Sequence, residues 1–238
     1  MRLGLPPKEM PVTTATRHVL DRDLRQIQDD LLRMGSRIDA AIGLALRALA
    51  VHDTRLARQI VADDAVVNGL RFRVEEACLA CIATQQPTAS DLRLVVANMI
   101  IASELERMAD YAAGIATTVL RMGDEPPVLS LTDLRTMADV CCEMVRDALE
   151  AYVRRDPTAA RAVAARDDEL DNLYNQIFHA ILAHILADPS ASTRALYLLF
   201  SAHNLERIGD RVVNIVERVI FMSSGELREL NAGPDAPV

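Results

Sequence analysis

The sequence predicts an all-α protein, a tandem repeat of two antiparallel three-helix bundles with six long helices in total. Ala and Leu dominate a chain of 238 residues that is 50% apolar and 3% aromatic, a composition that favours packed helices over sheets. Helix start and stop signals divide it into six segments of roughly 20 to 30 residues. The stretch ELERMAD at 104–110 recurs as NLERIGD at 204–210, which indicates an internal repeat.

Capping residues mark where the helices begin. The first amphipathic segment runs from about Asp21 to Val51. The predicted caps that open the later helices are Asp53 for the second, Thr88 for the third, Ser130 for the fourth, Asp156 for the fifth and Asp188 for the sixth. A proline follows Asp156 and another follows Asp188, and proline suits the first position of a helix.

Turn residues and polar stretches mark where the helices end. The second helix ends at about Ala83, before QQPTAS, and the third at about Met122, before the linker GDEPP. The sixth ends near Met222. The predicted divisions are a tail at 1–20, a first bundle at 21–122, a linker at 123–130, a second bundle at 131–222 and a tail at 223–238.

The apolar positions of the two halves also correspond. Short turns between the segments make neighbouring helices antiparallel. With an offset of 103 residues, four apolar positions of the second helix match four of the fifth: Val67, Leu70, Val74 and Cys78 align with Leu170, Leu173, Ile177 and Ile181. The repeat therefore includes the core and extends beyond one motif.

Charge and hydropathy exclude several classes of protein. A net charge of −8 argues against a nucleic-acid binder, which would present a basic face. The N-terminal sequence lacks the apolar core of a signal peptide, and the apolar runs are too short for a membrane span. We therefore expect a cytoplasmic protein that does not span a membrane, although a membrane-bound partner is compatible with it.

The sequence contains four cysteines, of which the first two fall within a helical apolar pattern. The spacing of Cys78 and Cys81 is compatible with zinc or redox chemistry. However, Cys141 and Cys142 are adjacent in sequence, so they do not complete a zinc-binding pattern. The sequence favours buried, reduced thiols.

Two acidic pairs recur at equivalent positions of the third and sixth helices. Glu106 and Asp110, like Glu206 and Asp210, are four residues apart, so their like charges are neighbours on the helix. They lie on a mostly apolar stripe, where carboxylates require a counter-charge. A wetter face of the third helix is marked by Arg93, Glu104, Arg107 and Tyr111.

Further oxygen ligands are expected at the same level of each bundle. Positions mirrored across the helical turns bring these candidates beside the acidic pairs: Asp64, Asn68 and Asp39 in the first bundle, and Asp167, Asp171 and Glu143 in the second. Such oxygen clusters bind hard divalent cations or iron. Alternatively, Arg107 and Arg207 pair with Asp110 and Asp210 at i+3, which makes the acids purely structural. Both interpretations remain open at this level.

The motifs LERMAD and LERIGD, together with QPTASDLRLV and the EEAC of 75–78, resemble the PhoU family over about residues 21 to 225. The resemblance implies multinuclear metal sites built on Glu106 and Asp110, and on Glu206 and Asp210, with Fe, Zn, Mn, Mg or Ca as candidate ions. Many members have an Asn four residues after the second acid. Asn214 matches it, whereas Gly114 stands in the first repeat, so we expect the first site to bind more weakly or to hold fewer ions.

The resemblance also implies a function. PhoU-like proteins repress the phosphate-starvation response, link the phosphate ABC transporter to a sensor histidine kinase, and are commonly homodimers. A di-iron carboxylate enzyme is disfavoured because Ala109 and Gly209, not His, follow the two glutamates at i+3. The alternative is a PhoU-like scaffold that regulates another transporter and whose acid clusters are only structural.

Overall fold

The computed structural model describes residues 14–122, 127–226 and 230 of the chain. These residues form seven α-helices and one short 3-10 helix, and they contain no strand. The α-helices are α1 Thr14–Val51, α2 Thr54–Gln85, α3 Ala89–Arg121, α4 Thr132–Arg154, α5 Pro157–Ala164, α6 Asp167–Ala187 and α7 Ser192–Ser224, and the 3-10 helix is Pro189–Ala191. The predicted all-α fold is confirmed.

Three of the five predicted caps form as expected. The Asp53 carboxylate accepts a hydrogen bond from the Leu56 N–H at 2.9 Å. Asp156 accepts from two backbone N–H groups at the start of α5. Asp188 accepts from the Ser190 N–H at 3.0 Å and so opens the 3-10 helix that leads into α7. These carboxylates satisfy backbone donors that have no partner inside a helix.

The other two caps differ from the prediction. Thr88 occupies the capping position of α3, but its hydroxyl donates to the Asp91 carboxylate at 3.1 Å and caps no backbone N–H. The prediction that Ser130 caps α4 is wrong by one residue, because Leu131 occupies the capping position. The first helix begins at Thr14, before the predicted Asp21. The linker residues 123–126 lie outside the described part of the chain.

The predicted fifth helix is interrupted at Ala165 and Arg166, which separate α5 from α6. The first turn of α6 carries three acidic residues, and negative charge is stabilising at a helix N-terminus. Arg166 itself contacts the carboxylates of Glu143, Asp147 and Glu169. The break therefore places one arginine where α4 and α6 both supply acids.

Helices α1 to α3 form the first bundle and α4 to α7 the second, and the two share one core. The bundles contact each other through α3 with α7 and α1 with α4. The largest fully buried side chains are Ile27, Leu31, Met34, Ile38, Ile42, Leu49, Ile101, Leu105, Met108, Ile115, Met137 and Met144. Burial of each contributes about 1.5 to 3 kcal/mol.

Helices α3 and α7 run antiparallel where the bundles meet. Glu104 contacts Asn214, and Asn204 lies against Gly114, so early positions of one helix meet late positions of the other. Among the helices that the structure describes, none combines the length and the apolar character that a membrane crossing requires.

Candidate metal centres

The first acid cluster joins α2 to α3. The Asn68 side-chain N–H donates to Asp64 Oδ2 at 3.0 Å. Burial raises the pKa of Asp64, and the nearby Asp110 charge raises it further. Burial and then Asp110 likewise raise the pKa of Glu106, against a lowering by Arg71, whose Nε lies 3.9 Å from Glu106 Oε1. The structure therefore brings Asp64, Asn68, Glu106 and Asp110 together.

The second acid cluster joins α6 to α7. Burial raises the pKa of Asp171 first, and the Asp210 charge adds to the increase. Burial and Asp210 also raise the pKa of Glu206, while Arg207 opposes the increase. Glu206 Oε2 lies 3.3 Å from His203 Nδ1. Asp171, Glu206 and Asp210 therefore form the counterpart of the first cluster.

An ion pair distinguishes the two clusters. Arg207 Nη1 lies 2.5 Å from Asp210 Oδ2. This is the i+3 ion pair expected if the acids are structural. Within the described residues, Arg107 makes no such pair with Asp110. Tyr111 of the first bundle also lies close enough to raise the pKa of Arg207. The second cluster consequently carries more of its own counter-charge than the first.

Asp167 lies deeper in the second bundle than Asp171. Its side chain is 7% exposed, and a Cβ added at Gly209 would come within 3.0 Å of its Oδ1. Gly209, which stands between Glu206 and Asp210 in the motif, thus gives both Leu170 and Asp167 of α6 the space to approach α7. Asp167 belongs to the same region as the second cluster.

Asp39 and Glu143 form ion pairs with arginines. Asp39 Oδ1 pairs with Arg146 Nη1 at 2.8 Å, which joins α1 to α4 across the bundle interface. Glu143 Oε2 pairs with Arg166 Nη2 at 2.7 Å. Mirroring across helical turns predicts the height of a residue along a bundle but not the direction of its side chain. In the structure the carboxylates of both residues neutralise arginines. Their predicted role as metal ligands has no support from these contacts.

Two carboxylate oxygens in the clusters are buried and have no hydrogen-bond partner among the described residues: Asp64 Oδ1 and Glu206 Oε2. The contact between Glu206 and His203 is close but not aligned as a hydrogen bond. Oxygen donors of this kind suit a hard cation. No group of three His, Cys, Asp or Glu side chains in the described ranges is close enough to enclose an ion as it stands. Ion binding would therefore require these side chains to rotate towards one another.

Arg71 is a neighbour of the first cluster that sequence reasoning missed. It pairs with Glu75 at 2.7 Å, stacks over the Phe72 ring at 4.5 Å and approaches Glu106. The available signal was its spacing, since Arg71 follows Asn68 by three residues and precedes Glu75 by four.

The fold and these clusters define a class of protein with two similar three-helix bundles, each carrying acids at the equivalent place on its last helix. Residues 31–119 and 134–219 each match the PhoU domain family, and the chain belongs to that family. It is 38% identical to the phosphate-specific transport system accessory protein PhoU homolog of Zymomonas mobilis, over 90% of this chain and 91% of that protein. It is 34% identical to the Clostridium acetobutylicum homolog, over 91% and 99%.

Solved structures agree with this assignment. The crystal structure of PhoU from Pseudomonas aeruginosa matches with a TM-score of 0.82 and 30% identity, over 87% of this chain and 99% of that one. The crystal structure of the phosphate transport system regulatory protein PhoU from Streptococcus pneumoniae also matches with a TM-score of 0.82 and 30% identity, over 89% and 100%. The two-bundle architecture is thus that of the family.

Proposed function

We propose that this protein is a non-enzymatic, metal-binding negative regulator of phosphate uptake. The observation that carries the proposal is its similarity, over both bundles, to proteins named phosphate-specific transport system accessory protein PhoU homolog. It represses the phosphate-starvation response when phosphate is plentiful. It does so by binding other proteins, and its net charge of −8 suits docking to basic surfaces.

Its proposed partners are the ATPase subunit of the phosphate ABC transporter and a sensor histidine kinase. Both roles place it in the cytoplasm, where these partners expose their soluble parts. A pull-down from membranes with the tagged protein tests the assignment. Recovery of both partners is expected, whereas recovery of a different transporter's ATPase would redirect the function. Homodimer formation is part of the same proposal, and light scattering measures it.

The metal ions of the proposal bind at the two acid clusters. The ligands are Glu106, Asp110 and Asp64 with Asn68 in the first cluster, and Glu206, Asp210, Asp171 and Asp167 in the second. Support comes from the unpartnered oxygens of Asp64 and Glu206 and from the raised pKa values of Glu106 and Glu206, to which burial contributes most and neighbouring acids add. A bound cation relieves that repulsion, and its open positions accept an oxygen from phosphate or a partner side chain.

The physiological test uses a deletion strain carrying a phosphate-responsive reporter. Deletion should derepress the reporter at high phosphate, and the wild-type gene should restore repression. The Asp110→Ala plus Asp210→Ala variant should fold yet restore repression less well. Glu150→Ala, which removes an exposed acid that pairs only with Arg154 among the described residues, is the matched control and should restore it fully.

The alternative function is a scaffold for another transporter whose acid clusters are only structural. The Arg207 to Asp210 ion pair is the observation that favours it. No derepression in the deletion strain would support regulation of another transporter. Full restoration by the Asp110→Ala plus Asp210→Ala variant would instead remove the metal role and leave the phosphate role standing.

A further inference from the structure

A polar cavity lies at the junction of the bundles, between the start of α1, the start of α3 and the end of α4. None of its lining residues belongs to either acid cluster. The polar side chains that matter for its chemistry are Asp21, Arg25, Asp91, Asn98, Tyr152 and Arg155. Because both bundles contribute to its wall, a ligand there would contact both.

Asn98 is the buried polar group of this cavity. It is 1% exposed, and its Oδ1 accepts a hydrogen bond from the Tyr152 hydroxyl at 2.8 Å. Its Nδ2 is buried and has no partner among the described residues. A buried donor without a partner costs about 1 to 3 kcal/mol. A ligand that presents an oxygen acceptor to Asn98 would recover this cost.

Two arginines supply positive charge to the same cavity. Arg25 and Arg155 are both exposed and line it from α1 and from the end of α4. Arg155 has a left-handed backbone conformation at the end of α4, and its charge opposes the rise in the pKa of Tyr152 that burial causes. Planar guanidinium groups are suited to bind oxyanions through paired N–H donors.

Two carboxylates, Asp21 and Asp91, line the cavity as well, and they restrict the ligand. A fully deprotonated anion would be repelled by them, whereas an oxyanion that carries a proton can donate it to a carboxylate. Inorganic phosphate keeps at least one P–OH group at neutral pH, but sulfate has none. We propose that this cavity binds inorganic phosphate, with Arg25, Arg155 and Asn98 donating to its oxygens and a carboxylate accepting from its P–OH.

The inference deepens the proposed function, because it makes the regulator itself responsive to phosphate, and it rests on that function only for its physiological meaning. The binding test is independent of the reporter. Metal-stripped, full-length protein is titrated calorimetrically with phosphate and with sulfate in a chelating buffer of constant ionic strength. Saturable binding of phosphate is expected, with sulfate at least about tenfold weaker.

Variants assign the binding to the cavity. Arg25→Gln plus Arg155→Gln should weaken phosphate binding at least about tenfold, since bonds to charged groups are among the stronger ones. Arg154→Gln is the matched control, because this exposed neighbour pairs with Glu150 instead, and it should bind as the wild type does. Asp91→Asn should reduce the preference for phosphate over sulfate.

Three results would overturn the proposal: no saturable phosphate binding to the wild type, equal binding of sulfate, or unchanged binding by the double arginine variant. None of them affects the reporter test of the proposed function. Conversely, phosphate binding that the arginine variant loses would stand even if the deletion strain showed no derepression.

Discussion

Glu104 of α3 accepts a hydrogen bond from Asn214 of α7, with 3.0 Å between Oε2 and Nδ2. The same oxygen contacts Arg211 Nη1 at 3.2 Å. At the equivalent place of the repeat, Asn204 packs against Gly114, where an added Cβ would lie 3.1 Å from the Asn204 side chain. Gly114 therefore provides the space that Asn204 occupies at the bundle interface. Asn214 lies at the same interface, where it donates to Glu104.

The first prediction concerns this interface. Glu104 and Arg211 are 12% and 14% exposed, so Glu104→Ala leaves a largely buried guanidinium without its carboxylate. We expect the free energy of unfolding to fall by about 2 kcal/mol, measured by urea denaturation. Glu150→Ala removes an exposed pair and should change stability by less than about 0.5 kcal/mol. Equal effects of the two variants would contradict the prediction.

Two glycines of α1 provide the second prediction. A Cβ at Gly35 would lie 2.0 Å from Leu149 Cδ1, whereas a Cβ at Gly43 would meet nothing within 4 Å. Gly35→Ala should destabilise the protein by about 1 to 3 kcal/mol, and Gly43→Ala should stabilise it by about 0.5 to 1 kcal/mol. Combining Gly35→Ala with Leu149→Ala should cost less than the sum of the two single changes. Additive costs would exclude the steric explanation.

The third prediction separates the acid clusters from the paired acids. Glu206→Ala plus Asp210→Ala should lower the bound metal, measured by elemental analysis of protein purified without chelator. Helicity by circular dichroism should hardly change, because the substitution also removes like-charge repulsion. Asp39→Ala is the control, since Asp39 pairs with Arg146, and it should keep its metal. Unaltered metal in the first variant would refute the site assignment.

The fourth prediction concerns pH. Burial and neighbouring acids raise the pKa values of Asp64, Glu106, Asp171 and Glu206 in the folded protein. A carboxyl with a raised folded pKa binds protons more readily when folded, so its ionisation destabilises the fold. The free energy of unfolding of metal-free protein should therefore rise as the pH falls from above the raised pKa values of the folded state to the ordinary pKa values of Asp and Glu in the unfolded chain.

Thermal unfolding of metal-stripped protein at about pH 7 and about pH 5 measures that gain. Replacing the four acids by Asn or Gln should reduce the difference in Tm between the two conditions. The prediction fails if the substituted protein has the same pH dependence as the wild type.

The fifth prediction concerns the cysteines, which are all free within the described structure, as the sequence indicated. Burial raises the pKa of Cys78 to about 12, and burial together with Asp39 raises that of Cys142 to about 12. Because the thiolate is the reactive form, native protein should react slowly with a thiol reagent at about pH 8. Unfolded protein should expose four reactive thiols. Rapid labelling of the native protein would contradict these environments.

The sequence predicts those features that depend on a residue's near neighbours in the chain. Asp53 and Asp156 cap helices because the N–H groups that they bind lie two or three residues away. The acidic pairs of α3 and α7 meet acids and amides of the preceding helices because short turns fix helix heights. The break after α5 was missed, since it involves Arg166 and carboxylates of another helix.

Features that depend on how helices rotate against one another were not predictable. Asp39 and Glu143 were expected beside the acidic pairs from mirroring across helical turns, and both form ion pairs with arginines. Periodicity places Glu104 on a wetter face of the third helix. Its contacts with Asn214 and Arg211 are polar, but these residues belong to the second bundle, which covers Glu104. The spacing of residues along one helix gives no information about which of its faces the other bundle covers.

The contacts between α3 and α7 differ at the two equivalent places of the repeat, and this difference makes the two halves of the chain non-interchangeable. A chain with two copies of the first bundle would set Glu104 against Tyr111 and Gly114 in place of Arg211 and Asn214, and the carboxylate would meet no cation. A chain with two copies of the second would oppose Asn204 to Asn214, without the space that Gly114 provides. Each half is therefore complementary to the other and not to itself, so a chain that carries the same half twice should not form this interface.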